Sequence, residues 1–416
     1  MPPPVESADY RSDVGSTGLV AEQIATLRER ARVRFPGTDY VVFWSPEQQK
    51  VLAAPIEFVV TSPFSHAIDY GSGGFEGLNA LVNAQTGVPQ VILLDARSDR
   101  FYQRTLQASQ YKSPVTQAEF KQAVLDFVAI NGFGLFRDPN GPNMSDYVRA
   151  YIRPTVHPAG IGGYGVHMTD DQPIDFAVVT WRWPDYLKPE LYTNGGIVAV
   201  TGQQRLAPVR GKHAFIYGAA SQEGNVARIL GADELLYLAP YYVDQYGHEF
   251  WGSPYEFETK MKYGVIADGP GEECVAITAD GKTLVYPPMR VNRLGGTVLQ
   301  YIIDHMAQNV GLATEERNIT LRDIRAGKYL ALVMLGNAVK VAPIRLIKYF
   351  RDGICIDGTE LFSEKSIPEP VQKLIQRYDE ETRGIIAPSH SSLVTSVDLA
   401  RGTMLRVGVD QMFKSH

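Results

Sequence analysis

Apolar positions at helical spacing define the first candidate element. Val20, Ile24, Leu27 and Ala31 recur between Arg and Glu residues over Leu19–Phe35, which predicts a surface helix. Residues 1–17 before it are polar and Pro-rich and read as a loose tail. Short β-type runs follow at Val41-Val-Phe-Trp44, Glu57-Phe-Val-Val60 and Val91-Ile-Leu-Leu94. Thr116-Gln-Ala-Glu119 has the form of a capping box. It opens a predicted helix whose buried stripe is Phe120, Val124, Phe127 and Val128. Tyr147–Pro154 and Asp175–Trp181 read as strands. From Arg182 to Gly195 the periodicity stops and Pro, Tyr and Trp dominate, which places a junction at 182–195.

The second half opens with a strand at Gly196–Thr201. After Gly218 the pattern turns helical, with Ala219, Val226, Ile229 and Leu230 assigned to one face, and Asp233–Leu238 reads as a buried strand. Asp268-Gly, Asp280-Gly and Arg351-Asp-Gly353 each lie between apolar runs and predict hairpins. Gly295-Gly-Thr297 leads into an amphipathic helix through Leu299, Ile302, Ile303, Met306 and Val310. A further helix is expected at about Leu321–Leu332, then Gly336-Asn-Ala338 and a strand at Val339–Ile344. No internal repeat is visible. Both halves mix strands and helices, so the class is α/β or α+β, with a β-rich second half.

A chain of 416 residues exceeds one ordinary core, so two domains are expected. The net charge of −6 and the lack of a long basic run argue against nucleic-acid binding. No apolar stretch is long enough to span a bilayer, and the N-terminus does not have the form of a signal peptide. The two cysteines, Cys274 and Cys355, are far apart, which fits a reducing, cytoplasmic setting. The eight histidines show no paired spacing, so no metal site is expected.

Candidate chemistry centres on Lys212 in Ala207–Ser221, a segment otherwise weakly charged. Burial among small and apolar neighbours lowers a lysine's pKa. The neutral amine then attacks an aldehyde and forms a Schiff base. An arbitrary loop lysine is ordinarily a solvated one, so the rest of the chain has to carry the stronger reading. Gly295-Gly-Thr297 before a helix offers backbone N–H groups to an anion. Glu249 is an acid among aromatics that could keep a heterocyclic nitrogen protonated. Gly160–Gly165 matches GxGxxG, but polar, Pro-containing residues follow instead of a helix. It reads as a covering loop rather than a nicotinamide site.

Taken in order, several segments resemble fold-type IV pyridoxal phosphate enzymes, most closely the branched-chain aminotransferases. They are Tyr70-Gly71, Phe75-Glu-Gly77, Tyr151-Ile-Arg-Pro154, Arg205 with Ala207-Pro208, Lys212 with Tyr217, Glu249, Gly296, and Gly336 with Ala338. They span roughly residues 40–385. The resemblance implies a small N-terminal α/β domain (38–181), a linker (182–195) and a large β-rich pseudo-barrel domain (196–385). Residues 1–37 are then an extension and 386–416 a tail of unknown role.

The resemblance also implies roles. Lys212 is the Schiff-base lysine, Glu249 the partner of the pyridine nitrogen, and Tyr217 bonds the ring 3-oxygen. Gly296, Thr297 and Val298 offer amides to the phosphate, which Arg104, or its rival Arg100, neutralises. Asn337 belongs to the same cofactor-binding set. Tyr70, Phe75, Tyr151, Arg153 and Tyr186 line the substrate side, and the turn Gly336-Asn337-Ala338 meets the substrate carboxylate. The implied reaction moves an amino group between a hydrophobic or branched L-amino acid and 2-oxoglutarate, in a homodimer.

This chain departs from the family pattern at Ile216, Pro254 and Asn337, where the family carries Asn, Asn and Thr, and at Leu299, where it carries Arg. A lyase, a D-amino acid aminotransferase or a specialised aminotransferase on the same cofactor are the alternatives. A nicotinamide oxidoreductase and a non-catalytic binding protein are the readings from other classes.

Overall fold

Residues 274–277 and 331–335 are apolar at every position, and the structure buries them on both faces of one sheet. Val275, Ile277, Ala331, Val333 and Leu335 face Leu299, Ile302 and Met306 of a helix starting at Thr297, and Val371 and Leu374 of the helix Glu369–Thr382. Cys274, Ala276, Leu332 and Met334 face the other way, into a core shared with Val198, Leu236 and Ile344. A strand buried on both faces needs no alternation, which is why these runs show none. The computed structural model describes residues 38–45, 48–56, 71–109, 112–137, 147–158, 174–182, 186–205, 211–251 and 257–413.

Among the described residues there are two sheets. The first contains β1 (Tyr40–Ser45), β2 (Lys50–Pro55), β3 (Gly74–Phe75), β4 (Leu78–Val82), β5 (Pro89–Ile92), β6 (Ala150–Pro158) and β7 (Ile174–Arg182). The second contains β8 (Gly196–Gln204), β9 (Glu234–Val243), β10 (Glu249–Trp251), β11 (Gly264–Ile266), β12 (Glu273–Thr278), β13 (Thr283–Tyr286), β14 (Ala313–Glu316), β15 (Tyr329–Gly336), β16 (Lys340–Arg351) and β17 (Ile354–Glu360). A last strand, β18 (Val394–Ser396), returns to the first sheet and pairs antiparallel with β5. The mixed α/β class is as expected, with the sheets changing over between Arg182 and Gly196.

The first sheet carries its own core. The capping box forms as written, Thr116 and Glu119 each bonding the other's backbone. It starts the helix Gln117–Asn131, whose Phe120, Val124, Phe127 and Val128 are fully buried against Phe101, Ile152, Phe176 and Val178. In the second sheet β8 runs parallel to both β9 and β16. Parallel neighbours require a crossover. The one from β8 to β9 carries Lys212 and the helix Ala214–Ile229. Ligands in such sheets gather outside the carboxyl ends of the parallel strands.

Several sequence expectations are corrected. The helix at 214–229 starts four residues before Gly218 and buries Ile216, Ala220 and Ala227, while Val226 and Ile229 are exposed. The Ile216, Ala220 and Ala227 stripe packs inward toward β9, which leaves the assigned Val226 and Ile229 outside. The helix expected at 321–332 stops at Arg325, Gly327 takes φ +70°, and Tyr329 onward is central strand β15. Asp268-Gly closes only an isolated bridge, because β11 pairs with β9 and β12 with β13 and β15. Val91–Leu94 ends as a strand at Ile92, and Leu94 begins a helix. The strand expected from Tyr147 starts at Ala150. Asp280-Gly and Asp352-Gly353 are hairpin turns as expected. The helix at 19–35, the run 57–60 and the loop 160–165 lie outside the described residues.

The tail of unknown role braces the first lobe, meaning the first sheet with its helices, as the second lobe means the second sheet with its own. Beyond β18, the helix Leu399–Phe413 packs along the helix Gln117–Asn131. Arg401 pairs with Asp126, and Arg406 donates to the Ile130 carbonyl. The helices approach so closely at Gly402 that a Cβ there would collide with the Ala129 carbonyl oxygen. That oxygen belongs to helix backbone and has little room to move. Gly402→Ala is therefore expected to destabilise the protein by about 1–3 kcal/mol through overpacking. The check is thermal melting with limited proteolysis of the tail, and an unchanged melting point and cleavage pattern would refute the seating of this helix.

Candidate active site

Lys212 is built into the contact between the two lobes. Its backbone N–H donates to Thr105 Oγ1 (3.0 Å), and its carbonyl accepts from the Phe75 N–H (3.0 Å). The next two residues are tied to the first lobe as well, His213 by a bridge to Gly74 and Ala214 by a bond to the Gly73 carbonyl. Lys212 is buried, and its Nζ donates to the Tyr217 hydroxyl at 2.7 Å. The five-residue spacing works because the lysine sits just before the helix and the tyrosine points back from its first turn.

The charges around the amine come from the first lobe. Glu76 is fully buried and accepts two bonds from Arg100, Nε to Oε1 (2.8 Å) and Nη2 to Oε2 (2.7 Å). Arg97 donates to the Gly77 carbonyl from the same helix. Burial, then the Arg100 charge, push the Lys212 pKa down to about 7, with Glu76 acting in opposition. Burial alone would raise Glu76, but the Arg100 pair overrides it and holds the carboxyl below its usual range. Burial raises the Tyr217 hydroxyl, against the pull of Arg205 and Arg100.

A cavity of about 360 Å³ opens at the amine. Phe75, Tyr151 and Arg153 form its first-lobe wall, and Tyr217, Ala220 and Ser221 form the wall opposite. Tyr186, Arg228, Pro270, Gly271, Asn337 and Ala338 also line it. Arg153 donates to the Tyr151 hydroxyl (2.8 Å) and lies 4.1 Å over the Phe75 ring. The Tyr186 hydroxyl donates to Glu234 (3.0 Å), a carboxyl that burial pushes up to about 7. The structure thus brings together Lys212, Tyr217, Phe75, Tyr151, Arg153, Tyr186, Asn337 and Ala338, with Gly336 at the end of β15 beside them. Tyr70 and Ala207-Pro208 lie outside the described residues.

Glu249 is not among the residues brought together. It lies on β10, where all three residues are exposed, and bonds Arg290 (2.6 Å) and Asn318 (3.0 Å). The aromatics beside it are exposed and lie against β9, Phe250 stacked on Tyr242 and Trp251 tilted against the buried Tyr241. The buried acid missed by sequence reasoning is Asp268. It is fully buried, accepts from Arg205 Nε (3.1 Å) and the Leu294 N–H (3.2 Å), and is pushed up to about 6 by burial against the Arg205 charge. Its signal was present: Asp268-Gly-Pro-Gly-Glu-Glu273 sets three acids among glycines between apolar strands. The Asp-Gly pair also reads as a hairpin turn, which hides its acid.

Where an anion was expected, Thr297 opens its helix with a buried hydroxyl that has no partner. Val298 is buried beside it. The Gly296 N–H donates to Glu273 at 2.5 Å, so that amide already has an acceptor. Arg104 is exposed and leans on the carbonyls of Leu294 (3.5 Å) and Gly295 (3.4 Å). Arg100 is the arginine whose charge acts on Lys212.

No family model matches the chain, and no curated protein matches it. Solved structures do. The branched-chain amino acid aminotransferase of Escherichia coli aligns with a TM-score of 0.65 at 21% identity, over 87% of this chain and 100% of that one. The branched-chain aminotransferase of the archaeon Thermoproteus uzoniensis, solved with norvaline, aligns at 0.63 and 20%, over 86% and 99%. The Thermobaculum terrenum enzyme in its PLP form aligns at 0.63 and 17%, over 88% and 99%. The chain therefore has the fold of these fold-type IV aminotransferases.

A lysine with a pKa near 7 is half neutral at pH 7, whereas an ordinary lysine titrates near 10.4. Capture of Lys212 by an aldehyde and borohydride is expected to fall as pH drops below about 7. Surface lysines should follow only above about pH 9. Peptide mapping of the reduced adduct against pH is the check. A Lys212 profile that tracks the surface lysines would remove the assigned shift.

Proposed function

We propose that the chain is a pyridoxal 5′-phosphate-dependent aminotransferase that exchanges an amino group between an L-amino acid with a hydrophobic or branched side chain and a 2-oxo acid such as 2-oxoglutarate. One observation carries the reading: a buried lysine amine with its pKa near 7, bonded to Tyr217, at a cavity formed by both lobes. The PLP form of a protein with the same fold supports the choice of cofactor. Norvaline in another supports a hydrophobic amino acid.

The residues present fit that cofactor. A phosphate needs a cation and several donors. The partnerless Thr297 hydroxyl, the Val298 backbone and Arg100, whose charge acts on Lys212, would supply them. Asp268 takes the place proposed for Glu249, because it is a buried acid that Arg205 can keep ionised beside a protonated ring nitrogen. Tyr217 is the donor for the ring oxygen. When bound, the cofactor supplies an electron sink that makes the substrate's α-hydrogen removable.

The chain's own residues do the rest. Lys212 would hold the cofactor's aldehyde, and its amine would move the proton at the substrate's α-carbon. A pKa near 7 leaves about half of the cofactor-free amine neutral at pH 7, ready for the aldehyde. Phe75, Tyr186 and Pro270 present apolar surface to a side chain. Arg153 offers its charge to the second carboxylate of 2-oxoglutarate, and its bond to Tyr151 orients the guanidinium. The turn Gly336-Asn337-Ala338 receives the carboxylate shared by every amino and oxo acid.

The purified protein is expected to turn yellow with pyridoxal phosphate, to lose the colour on adding a hydrophobic L-amino acid, and to regain it with 2-oxoglutarate. Lys212→Ala should abolish the lysine-linked absorbance and lower turnover by at least about 10³-fold, as loss of a covalent catalyst does. Colour that persists under every L-amino acid but bleaches with a D-amino acid would assign the opposite stereochemistry. Colour without any bleaching would leave a different reaction, such as a lyase. A Lys212→Ala protein with the parent's spectrum would sink the proposal.

A further inference from the structure

The turn between β15 and β16 is held from behind. Asn337 is buried, and its carbonyl accepts from Asn79 Nδ2 (2.7 Å) and Arg149 Nη1 (3.0 Å). The Ala338 carbonyl accepts from Arg149 Nη2 (3.1 Å). The Asn337 side chain returns a bond to Asn79 Oδ1 (3.2 Å). Both donors belong to the first lobe, Asn79 on β4 and Arg149 one residue before β6, while the turn belongs to the second. Arg149 is itself buried.

In a planar trans peptide the C=O of one residue and the N–H of the next point in opposite directions. Fixing the carbonyls of Asn337 and Ala338 on Arg149 and Asn79 therefore turns the N–H groups of Ala338 and Val339 away from those residues. That direction is the cavity side, because Asn337 and Ala338 line the cavity that holds Lys212. Among the described residues neither N–H donates to a protein acceptor. A guanidinium fork suits this work, since its two nitrogens span successive carbonyls in fixed geometry, and its charge polarises both peptide groups toward an anion.

From this we propose that Arg149 and Asn79, which do not line the cavity, are positioning residues that aim the Ala338 and Val339 amides at the substrate carboxylate. The inference rests on the reading of the cavity as one that takes amino and oxo acids. It adds that carboxylate recognition is assembled only when the two lobes are docked, because donors on one lobe orient a turn on the other.

The test uses the full chain, its Arg149→Ala, Arg149→Lys and Asn79→Ala variants, and two probes, 4-methylvalerate and its uncharged amide. Binding is measured by calorimetry with and without pyridoxal phosphate, and cofactor uptake is read separately by absorbance. Arg149→Ala and Asn79→Ala should weaken the carboxylate about tenfold, the loss of one or two oriented donors, while the amide's affinity stays at the parent value. Arg149→Lys, which can reach one carbonyl, should fall between. Cofactor absorbance should survive in all three. Unchanged carboxylate affinity overturns the inference, as does an equal loss for both probes, which marks general damage to the cavity. A parent that binds no 4-methylvalerate in either state overturns it too. A parent that takes up no cofactor but shows the carboxylate ratio defeats the aminotransferase reading and leaves the positioning role standing. Should Arg149→Ala fail to fold, Asn79→Ala and Arg149→Lys decide the matter alone.

Discussion

The candidate site depends on one lysine amine kept out of water beside more positive charge than one acid can balance. Burial costs Lys212 the solvation of its ammonium, and Arg100 adds repulsion that Glu76 only partly cancels. Glu76 is itself committed to Arg100 by two short bonds. The balance therefore falls toward the neutral amine, the form able to attack a carbonyl. Without the lobe that carries Arg100 and Glu76, the same lysine would be an ordinary cation in a crossover connection.

That dependence explains why the lobes meet where they do. β3 supplies backbone bonds to the lysine segment, and its Phe75 lies against the Tyr217 ring at 4.8 Å between centroids. The same lobe reaches the β15–β16 turn through Asn79 and Arg149. The first sheet is thus more than a cover. It sets the electrostatics at the amine and the orientation of the turn at the other end of the cavity. β18 and the helix after it return the chain's end to this lobe and pack against the helix Gln117–Asn131.

Acids were the hardest residues to place from sequence. Glu249 and Asp268 both stand among residues that suggest burial, aromatic in one case and glycine in the other. Only the strand pairing separates them. β10 is an end strand of the second sheet, so its residues face water, whereas the loop before β12 is drawn inward by Arg205 and the Leu294 amide. The two arginines at 100 and 104 pose the same problem. They lie one turn apart on one helical run, and a local bulge of π-helix starting at Phe101 leaves Arg100 buried and Arg104 exposed.

Local order of the chain determined much by itself. The capping box, the Asp280-Gly and Asp352-Gly353 turns and the strands at 175–181 and 196–201 depend on residues a few positions apart, so they were legible in the sequence. Tertiary structure decided the rest: which face of the helix 214–229 is buried, that 329–336 is a central strand, which acid is buried, and that Arg149 and Asn79 stand behind the carboxylate turn. These depend on partners about 60 to 260 positions away, as with Asp268 and Arg205 or Asn79 and Asn337. Burial and charge pairing at that range are properties of the packed lobes, and a local pattern such as the acids among glycines at 268–273 does not by itself say which group is buried.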